Sequence, residues 1–454
     1  MPTGQELHAI PSDETLSAVS RGKELSPATA SVADTARVAA TVLAPTLRGG
    51  VIKRRPRAMA LADRLQLDRP GIRLLGRLRE RYGERPLQLR IPGRSVTVLL
   101  GHADAGSVLA RTPSPFTPAT LEKKAALSHF QPHGVLISDD GNRAARRGFN
   151  EQVLEPGRAI HDLAAPWARR IAERASQPAA PELDWDKFNT RWWQLVREIT
   201  LGGDTAEDRE LTDLLGALRL DANWAYARPK RKQLRNRFLD LVRQQVALNR
   251  PGSLAAAVNA TPADAATDPA GQVPHWLFAF DAAGIATFRT LALLASHSQA
   301  GAQAHAEATA ADPSEPRQLP FLRACVLESV RLWPTTPALL REAAEDTAWG
   351  RKGTTYLVST PFFHRDAQRL PYADRFEPGI WLDGRAAEQP ALVPFSAGPG
   401  ACPGRDVVLF ATSTLLANLL RRYRFTVLDK RLRPGDLPAT LDHFTLRFAL
   451  EPAG

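Results

Sequence analysis

Residues 395–404 read Phe395-Ser-Ala-Gly398-Pro-Gly400-Ala-Cys402-Pro-Gly404, and a helical pattern over 403–423 follows directly. The three glycines let the backbone turn tightly and approach a flat group closely. A cysteine at the start of a helix lies in the positive field of the helix N-terminus, which favours its thiolate. A buried structural cysteine beside a glycine-rich turn is the ordinary alternative. The spacing Phe-x-x-Gly-x-x-x-Cys-x-Gly is too particular for that alternative.

This loop resembles the heme-binding loop of the cytochrome P450 superfamily, and the alanine- and arginine-rich composition suggests its soluble bacterial, actinobacterial type. Two further motifs of the family occur in the right order, Glu328-Ser-Val-Arg331 and Asp374-Arg375-Phe376-Glu377-Pro378. The resemblance implies that Cys402 is the metal ligand, with its thiolate bound axially to the heme iron. It also implies that Glu328, Arg331 and Arg375 form a structural ion-pair triad. Taken alone, Glu328 and Arg331 would be an ordinary i,i+3 pair.

A long apolar helix is predicted over 275–296, and one stripe of it carries Phe280, Ala283, Gly284 and Thr287 at i, i+3, i+4 and i+7. The small side chains of Ala283 and Gly284 leave a gap where a flat ring could approach. The hydroxyl of Thr287 can bond the carbonyl of Ala283 and loosen the helix. Packing of two helices through small residues is the alternative.

By resemblance, this stripe is the family's oxygen-binding groove, whose pattern is Ala-Gly-x-acid-Thr. Here Ala286 stands at the acid position, so the ordinary proton relay lacks its carboxylate. The catalytic residues implied are Thr287, Gly284 and Ala283. The expected substrate pocket is lined by Phe280 and Ala283, by the predicted loop 112–137, and by residues between the predicted helices 206–218 and 230–248.

The two propionates of a heme need cations, and by resemblance Arg146 and Arg341 occupy two propionate-binding positions. Asn142 stands where a histidine is frequent, and it can still donate a hydrogen bond. Gly400 stands where an arginine or histidine usually precedes the ligand by two. For any single arginine, a solvated surface position is the alternative. The residues assigned to the cofactor are Cys402, Arg146, Arg341, Asn142, Phe395, Gly398 and Gly404.

The composition excludes several classes of protein. The chain has 454 residues, of which 44% are hydrophobic and 24% charged, as is typical of a globular fold. Its two cysteines exclude a disulfide scaffold and a multi-cysteine zinc or iron–sulfur site. The net charge of +11 is spread along the chain beside acids, so we expect no nucleic-acid partner. The densest basic cluster, 228–237, indicates a solvated helix face, with an acidic protein partner as the alternative.

The sequence has neither a continuous apolar leader at its start nor a run of about 18 apolar residues. We therefore expect no membrane anchor and a location in the cytoplasm. The expected fold class is mainly α with a minor β portion, a cytochrome P450-like heme-thiolate fold. A β-hairpin is predicted over 87–91 and 95–100. We expect a mobile N-terminal tail over 1–57 and a single heme-thiolate catalytic domain over 58–454.

The resemblance implies an oxidoreductase acting on paired donors with O2, a monooxygenase with heme b. It would insert one oxygen atom into an apolar small molecule, with electrons from a ferredoxin or flavodoxin and an NAD(P)H-dependent reductase. A basic face with Arg405 and Arg146 or Arg147 could dock such an acidic carrier. Two alternatives stay open. Ala286 motivates a peroxide-using or redox-partner-independent heme-thiolate enzyme, and a heme- or carrier-binding module without turnover is the other.

Overall fold

The computed structural model describes residues 7, 10–20, 25–177, 180–312, 314–429 and 431–453. The chain divides into two compact units. Unit 1 comprises Met1–Thr120, Leu327–Cys402 and Arg431–Asp442, and unit 2 comprises Leu121–Val326, Pro403–Lys430 and His443–Gly454. Helices predominate and strands form a smaller part, so the predicted fold class, mainly α with a minor β portion, is confirmed.

The helices follow one another along the chain. They are α1 Asp13–Ser20, α2 Val32–Val38, α3 Ala44–Gly49, α4 Pro56–Leu65, α5 Asp68–Tyr82, α6 His102–Ala110, α7 Leu121–Leu127, α8 Asp140–Leu154, α9 Ala164–Ser176, α10 Trp185–Leu201, α11 Glu210–Ala222, α12 Lys232–Ala247, α13 Leu254–Ala260, α14 Val273–Ser296, α15 Ser298–Thr309, α16 Pro320–Leu332, α17 Thr360–His364 and α18 Arg405–Arg422. Most predicted helices occur within a few residues of these bounds.

The strands form one sheet in each unit. They are β1 Ala28–Thr29, β2 Leu87–Ile91, β3 Arg94–Val98, β4 Phe116–Thr117, β5 Glu182–Asp184, β6 Ala338–Ala343, β7 Thr355–Ser359, β8 Tyr423–Val427 and β9 Arg447–Pro452. The sheet of unit 1 has the order β1-β2-β3-β7-β6-β4, and that of unit 2 has the order β5-β9-β8. The predicted hairpin is β2–β3, antiparallel with Leu87 opposite Val98. Its turn uses Gly93 at φ 71°, a conformation that glycine adopts without strain.

The N-terminal segment differs from the expected mobile tail. Residues 1–6, 8–9 and 21–24 lie outside the described residues, but α1, α2 and α3 are helical and β1 pairs with β2. Asp34 on α2 is buried and accepts hydrogen bonds from the hydroxyl of Tyr82 at 2.8 Å and from Arg81 at 3.0 Å. This polar anchor adds to the buried Val38 of α2, which lies in the same apolar cluster as Leu74 and Leu78 of α5. Hydrogen bonds of this kind leave no periodic pattern in the sequence.

Helix α1 is held by contacts within unit 1. The amide of Ser12 and the hydroxyl of Thr15 both donate to the carbonyl of Ala387, at 3.0 and 2.9 Å. Leu16 is buried in a small apolar cluster with Leu109, Val393 and Ala397. Helix α1 therefore packs behind the segment that leads into the cysteine-containing loop.

The segment expected to be a long loop over 112–137 is also partly regular. It contains β4, α7 and a 3₁₀ turn at Val135–Ile137. Strand β4 pairs with β6 through Phe116 opposite Ala343. Two residues of strand and seven of helix are too short for their periodicity to stand out in a sequence.

Within the part of the chain that the structure describes, one helix is long and apolar enough to cross a membrane, Ala270–Ser296. Of its most apolar stretch, 78% is buried inside the protein. A core helix of this length passes the same test as a membrane span.

A buried ion pair on α16 organises unit 1. Arg331 donates from Nε and Nη2 to the two carboxylate oxygens of Glu328, at 2.7 and 2.6 Å, and both side chains are fully buried. The remaining capacity of the carboxylate is used by the amide of Glu377 at 2.8 Å and the indole of Trp381 at 3.0 Å. Arg375 contributes its backbone carbonyl, which accepts from Arg331 at 2.6 Å. The expected triad is therefore corrected to an ion pair, because Glu377 and Trp381 fill the place foreseen for the Arg375 side chain.

His364 connects this ion pair to the loop that carries Cys402. Its carbonyl accepts from Nη1 of Arg331 at 2.9 Å, and its Nε2 accepts from the amide of Val393 at 3.0 Å. Burial, with the positive charge of Arg331 as a smaller cause, lowers the pKa of His364 to about 3. The imidazole is therefore neutral at physiological pH and acts as a hydrogen-bond acceptor.

This neutral histidine predicts a pH dependence of stability. The folded pKa lies below the ordinary value, so the stabilisation is complete above about pH 6.5 and is lost as the pH falls towards 3. The contribution of one such group amounts to about 2 kcal/mol between pH 6.5 and 5. Urea unfolding of His364→Gln, which keeps an acceptor for Val393, should show a weaker fall in stability over this range than the parent chain.

His305→Gln is the matched control, because this histidine is exposed. Its pH profile should follow that of the parent chain. If His364→Gln and the parent lose stability in parallel between pH 7 and 5, His364 is not the buried neutral group described above.

Candidate cofactor-binding site

The loop before α18 closes on itself through backbone hydrogen bonds. The amide of Cys402 donates to the carbonyl of Phe395 at 2.9 Å, and the amide of Ala401 donates to the carbonyl of Gly398 at 2.9 Å. Ser396 and Gly398 have φ angles of 61° and 60°. Cys402 and Phe395 are half-buried. These two hydrogen bonds close the loop and hold the backbone of Cys402 in place.

Two of the loop glycines are required by close neighbours in unit 1. A Cβ at Gly398 would lie 2.5 Å from the carbonyl oxygen of Leu109, at the end of α6. A Cβ at Gly400 would lie 2.8 Å from Nη2 of Arg341 and 3.0 Å from Cγ2 of Thr112. This packing explains why no arginine or histidine stands at position 400. Gly404 has ordinary space around it and serves as the residue before α18.

Arg341 on β6 lies beside this loop. Its side chain is buried, and Nε donates to the hydroxyl of Thr112 at 2.9 Å. Nη2 donates to the hydroxyl of Ser396 at 3.1 Å, and Nη1 to the carbonyl of Leu340 at 3.0 Å. Unit 1 therefore brings together Cys402, Phe395, Gly398 and Arg341, four of the residues predicted to hold the cofactor. The charge next to the loop is positive, as a carboxylate-bearing ligand requires.

In unit 2, α8 presents the other predicted cationic position. Arg146 donates from Nε to the carbonyl of Ala266 at 3.1 Å and from Nη1 to the hydroxyl of Ser138 at 2.7 Å. Asn142, predicted to donate to the cofactor, has its amide 3.5 Å from the carboxylate of Asp139. Arg146 thus contacts the segments around 138 and 266, and Asn142 lies beside Asp139.

Arg143 is a residue that the sequence analysis missed. It is buried, more deeply than Arg146, and donates from Nη1 to the carbonyl of Val135 at 2.9 Å. Arg143, Asn150 and Val153 are all buried and follow a helical spacing of seven and three. That spacing was the available signal, because a charged residue on the inward face of a helix needs a polar ligand or partner.

The central turn of α14 has a different neighbour from the one expected. Thr287 is fully buried, and its hydroxyl donates to the carbonyl of Ala283 at 2.8 Å, as predicted. A Cβ at Gly284, however, would lie 2.6 Å from Nε1 of Trp192 on α10. The gap at Gly284, expected to admit a flat ligand, is therefore occupied by an indole.

Trp192 also makes a polar contact with this turn. Its indole N–H donates to the carbonyl of Phe280 at 2.8 Å, and the two aromatic rings lie 6.1 Å apart. The carbonyls of Phe280 and Ala283, one turn of α14, thus both accept hydrogen bonds from side chains. The spacing of Phe188 and Trp192 on α10 is that of any aromatic core helix, so no sequence signal pointed to this contact.

The acid on α14 is Asp281, six residues before Thr287. Its carboxylate accepts from Nη2 of Arg219 at 2.6 Å, and Arg219 is buried. Ala286, at the position of the family's relay acid, is buried and apolar, and its carbonyl accepts from the hydroxyl of Thr290. The turn around Thr287 therefore contains a hydroxyl group but no carboxylate.

The residues present fit a heme. Cys402 offers one thiol, which no disulfide occupies, on a loop where a side chain at position 398 or 400 would collide with Leu109 or Arg341. A single thiolate would suffice as the protein ligand of an iron whose other ligands come from a macrocycle. Arg341 adds a buried positive charge beside the same loop. This donor set matches a thiolate-ligated heme better than a metal ion held by side chains alone.

Comparison with known proteins supports this interpretation. The family model described as cytochrome P450 matches residues 281–441. A probable cytochrome P450 4s3 of Drosophila melanogaster is 32% identical over 177 residues, which are 38% of this chain and 36% of that protein. Cyclooctat-9-en-7-ol 5-monooxygenase of Streptomyces melanosporofaciens is 34% identical over 112 residues, 23% of this chain and 24% of that protein. The matched parts thus span about a third or less of these curated relatives.

Solved structures show the same fold over most of the chain. The retinoic acid bound cyanobacterial CYP120A1 has a TM-score of 0.67 at 16% identity, covering 83% of this chain and 94% of that one. The heme domain of cytochrome P450DA has a TM-score of 0.65 at 16% identity, covering 85% of this chain and 93% of that one.

The relatives include proteins of insects, a plant and a bacterium, so the expected actinobacterial type is not confirmed. One of the solved structures is by its name a heme domain, which agrees with the cofactor inferred from the Cys402 loop. The family match covers α14 from Asp281 onward, the Glu328–Arg331 pair and the Cys402 loop. The matched segment, residues 281–441, is therefore similar to the cytochrome P450 family, and the fold over most of the chain is that of solved P450 structures.

Proposed function

We propose that this chain is a heme-thiolate monooxygenase that inserts one oxygen atom from O2 into an apolar small molecule. The observation that carries the proposal is the loop of Cys402, whose amide is bonded to Phe395 and whose glycines pack against Leu109 and Arg341. Heme b bound by a thiolate supplies dioxygen activation and favours cleavage of the O–O bond. The protein supplies the ligand, the charges and the pocket.

Each site residue has a distinct part in this proposal. Cys402 binds the iron, and the backbone hydrogen bonds of its loop hold the thiolate in one direction. Arg341 and Arg146 bind the propionates, and Asn142 donates a further hydrogen bond. Phe395, Gly398 and Gly404 shape the loop. Phe280 and Ala283 line the substrate pocket on α14.

Thr287 is the proton-handling residue of the proposal. Its hydroxyl is a donor to the carbonyl of Ala283 and can pass a proton from ordered water. Because position 286 is an alanine and Asp281 is bound by Arg219, the proton path runs through hydroxyl groups and water rather than through a carboxylate.

The proposed electron donor is a ferredoxin or flavodoxin with its NAD(P)H-dependent reductase, and the proposed location is the cytoplasm. The basic docking face expected from the sequence is weaker than its charges suggest. Arg405 pairs with Asp406 at 3.0 Å, and Arg147 pairs with Glu151 at 2.6 Å. An apolar substrate is supported by the printed names of two similar proteins, one bound to retinoic acid and one acting on cyclooctat-9-en-7-ol.

A second candidate function is a peroxide-using or redox-partner-independent heme-thiolate enzyme. It is favoured by the absence of a carboxylate at position 286 and by the engagement of Asp281 with Arg219. Such an enzyme needs no delivery of two electrons and two protons from outside. The missing relay acid would therefore lower its activity less than that of an O2-using monooxygenase.

The role of Cys402 is tested by spectroscopy of the purified protein. Cys402→Ser should abolish the red-shifted absorption band that the carbon monoxide complex of a ferrous thiolate-bound heme shows. Cys325→Ser, the matched control, should keep the band, because this cysteine is buried in α16 and has no place in the loop. Retention of the thiolate-type band in Cys402→Ser would refute the assignment of the metal ligand.

Turnover with two oxidants separates the two candidate functions. With ferredoxin, reductase and NADPH, the parent enzyme should form product, and Thr287→Ala should form product per NADPH about 10²-fold less efficiently, because a positioned proton donor is lost. With peroxide, the parent and Thr287→Ala should differ little. Product formation with peroxide, but none with ferredoxin, reductase and NADPH, would instead support the second candidate.

The contact of Trp192 with α14 predicts a local effect. Trp192→Phe keeps the ring and removes the donor to the Phe280 carbonyl, at a cost of about 1 kcal/mol in stability. Amide hydrogen exchange in the peptide around 280–290 should accelerate, and the spin state of the ferric heme should shift. Trp276→Phe is the control, because its buried indole donates to the Asn150 side chain instead. Equal effects of the two variants on the 280–290 peptide would contradict a specific role of Trp192.

A further inference from the structure

A closed ring of hydrogen bonds surrounds Arg146 in unit 2. Nε of Arg146, on α8, donates to the carbonyl of Ala266 at 3.1 Å. Ala266 lies in the connection between α13 and α14, and Gln272, at the end of that connection, donates from Nε2 to the carbonyl of Thr267 at 3.0 Å. Oε1 of Gln272 accepts from Nδ2 of Asn150 at 3.1 Å, and the same nitrogen donates to the carbonyl of Arg146 at 2.7 Å. The ring therefore begins and ends on Arg146.

The two amide side chains of this ring are buried, Asn150 at 1% and Gln272 at 0% exposure. Both make hydrogen bonds beyond the ring. Oδ1 of Asn150 accepts from the indole of Trp276 at 2.6 Å, and Nε2 of Gln272 also donates to the carbonyl of His133 at 3.0 Å. A buried amide that is bonded at both its nitrogen and its oxygen has one orientation, because rotation would bring donor against donor. Asn150 and Gln272 thus hold α8 and the 261–272 connection in one arrangement.

The ring leaves one nitrogen of Arg146 for a ligand. Nη1 donates to the hydroxyl of Ser138 at 2.7 Å, and within the described residues Nη2 makes no hydrogen bond. Because Nε and Nη1 are both held, the planar guanidinium is fixed and so is the direction in which Nη2 donates. The side chain is half-buried, so that its charge is screened less than that of a fully exposed arginine. A carboxylate that approaches Nη2 would meet a donor that is already oriented.

We propose that Asn150 and Gln272 are positioning residues, which hold the guanidinium of Arg146 against a heme propionate and thereby raise the reduction potential of the heme iron. The inference rests on the proposed function, which assigns Arg146 to the propionates. A fixed cation close to the heme favours the ferrous state, which carries one positive charge less than the ferric state. When the ring is opened, the guanidinium turns towards water, and both the potential and the affinity for heme fall.

The test is the midpoint potential of the ferric–ferrous couple in the heme-loaded protein without substrate, with the rate of heme transfer to apomyoglobin as the second readout. Asn150→Ala and Gln272→Leu should each shift the equilibrium at least about threefold towards the ferric state, and release heme about tenfold faster. The double variant should differ little from either single variant, because each opens the same ring. In the background of Arg146→Gln, Asn150→Ala should change neither readout further.

Asn418→Ala is the matched control. Asn418 is buried on α18, and its Nδ2 donates to the carbonyl of Thr414 four residues earlier, as that of Asn150 does to Arg146. The control should lower the thermal midpoint as Asn150→Ala does, but leave the potential unchanged. The proposal is overturned if Asn150→Ala and Gln272→Leu change the potential no more than the control. It is also overturned if Asn150→Ala changes the potential equally with and without Arg146.

Failure of the proposed function gives a different result. If Arg146→Gln itself leaves the potential and the rate of heme release unchanged, Arg146 does not bind a propionate, and the positioning role falls with that assignment. If Arg146→Gln lowers the potential and speeds heme release while the Asn150 and Gln272 variants do neither, only the positioning role is refuted. Gln272→Leu keeps the approximate volume of the side chain, so the test does not depend on the folding of Asn150→Ala.

Discussion

Unit 1 depends on the buried ion pair of Glu328 and Arg331, because neither charge has access to water. Such a pair is tolerated only when every remaining donor and acceptor is satisfied, and loss of one partner costs about 3–5 kcal/mol. Here the acceptors for Arg331 are backbone carbonyls of residues 364, 372, 373 and 375, and the donors to Glu328 come from residues 377 and 381. The pair thereby fixes the course of two irregular segments. His364 extends that order to Val393, from which the chain enters the Cys402 loop.

The sequence revealed those parts of the site in which the chemistry requires a residue type at a fixed spacing. The Phe395–Gly404 loop and the Glu328–Arg331 pair are of this kind, since a glycine or an ion pair at i,i+3 leaves a mark in the sequence. The structure differs from the prediction where other groups take the place of an expected side chain. The carboxylate of Glu328 is completed by an amide and an indole, so that the charge of Arg375 is not needed there. No residue pattern encodes that substitution.

The stripe on α14 shows why small residues are ambiguous. Ala283 and Gly284 are neighbours on α14, but their surroundings differ. A side chain at position 284 would collide with the indole of Trp192, whereas the carbonyl of Ala283 accepts a hydrogen bond from the hydroxyl of Thr287. A gap in a helix surface can admit a ligand or a neighbouring helix, and only the tertiary contact decides. Arg143 was missed for a related reason, because its burial depends on what α8 packs against rather than on its own neighbours in the chain.

Helix α1 has a practical meaning for handling the protein. Leu16 packs against Val393 and Ala397, and the start of the helix is hydrogen-bonded to the carbonyl of Ala387. These contacts lie directly upstream of the Cys402 loop. A shortened chain that begins after Ser20 would leave Leu109 and Val393 facing water and would loosen the segment that aims the thiolate. The composition of α1 does not mark this helix as important, yet it supports the loop that carries Cys402.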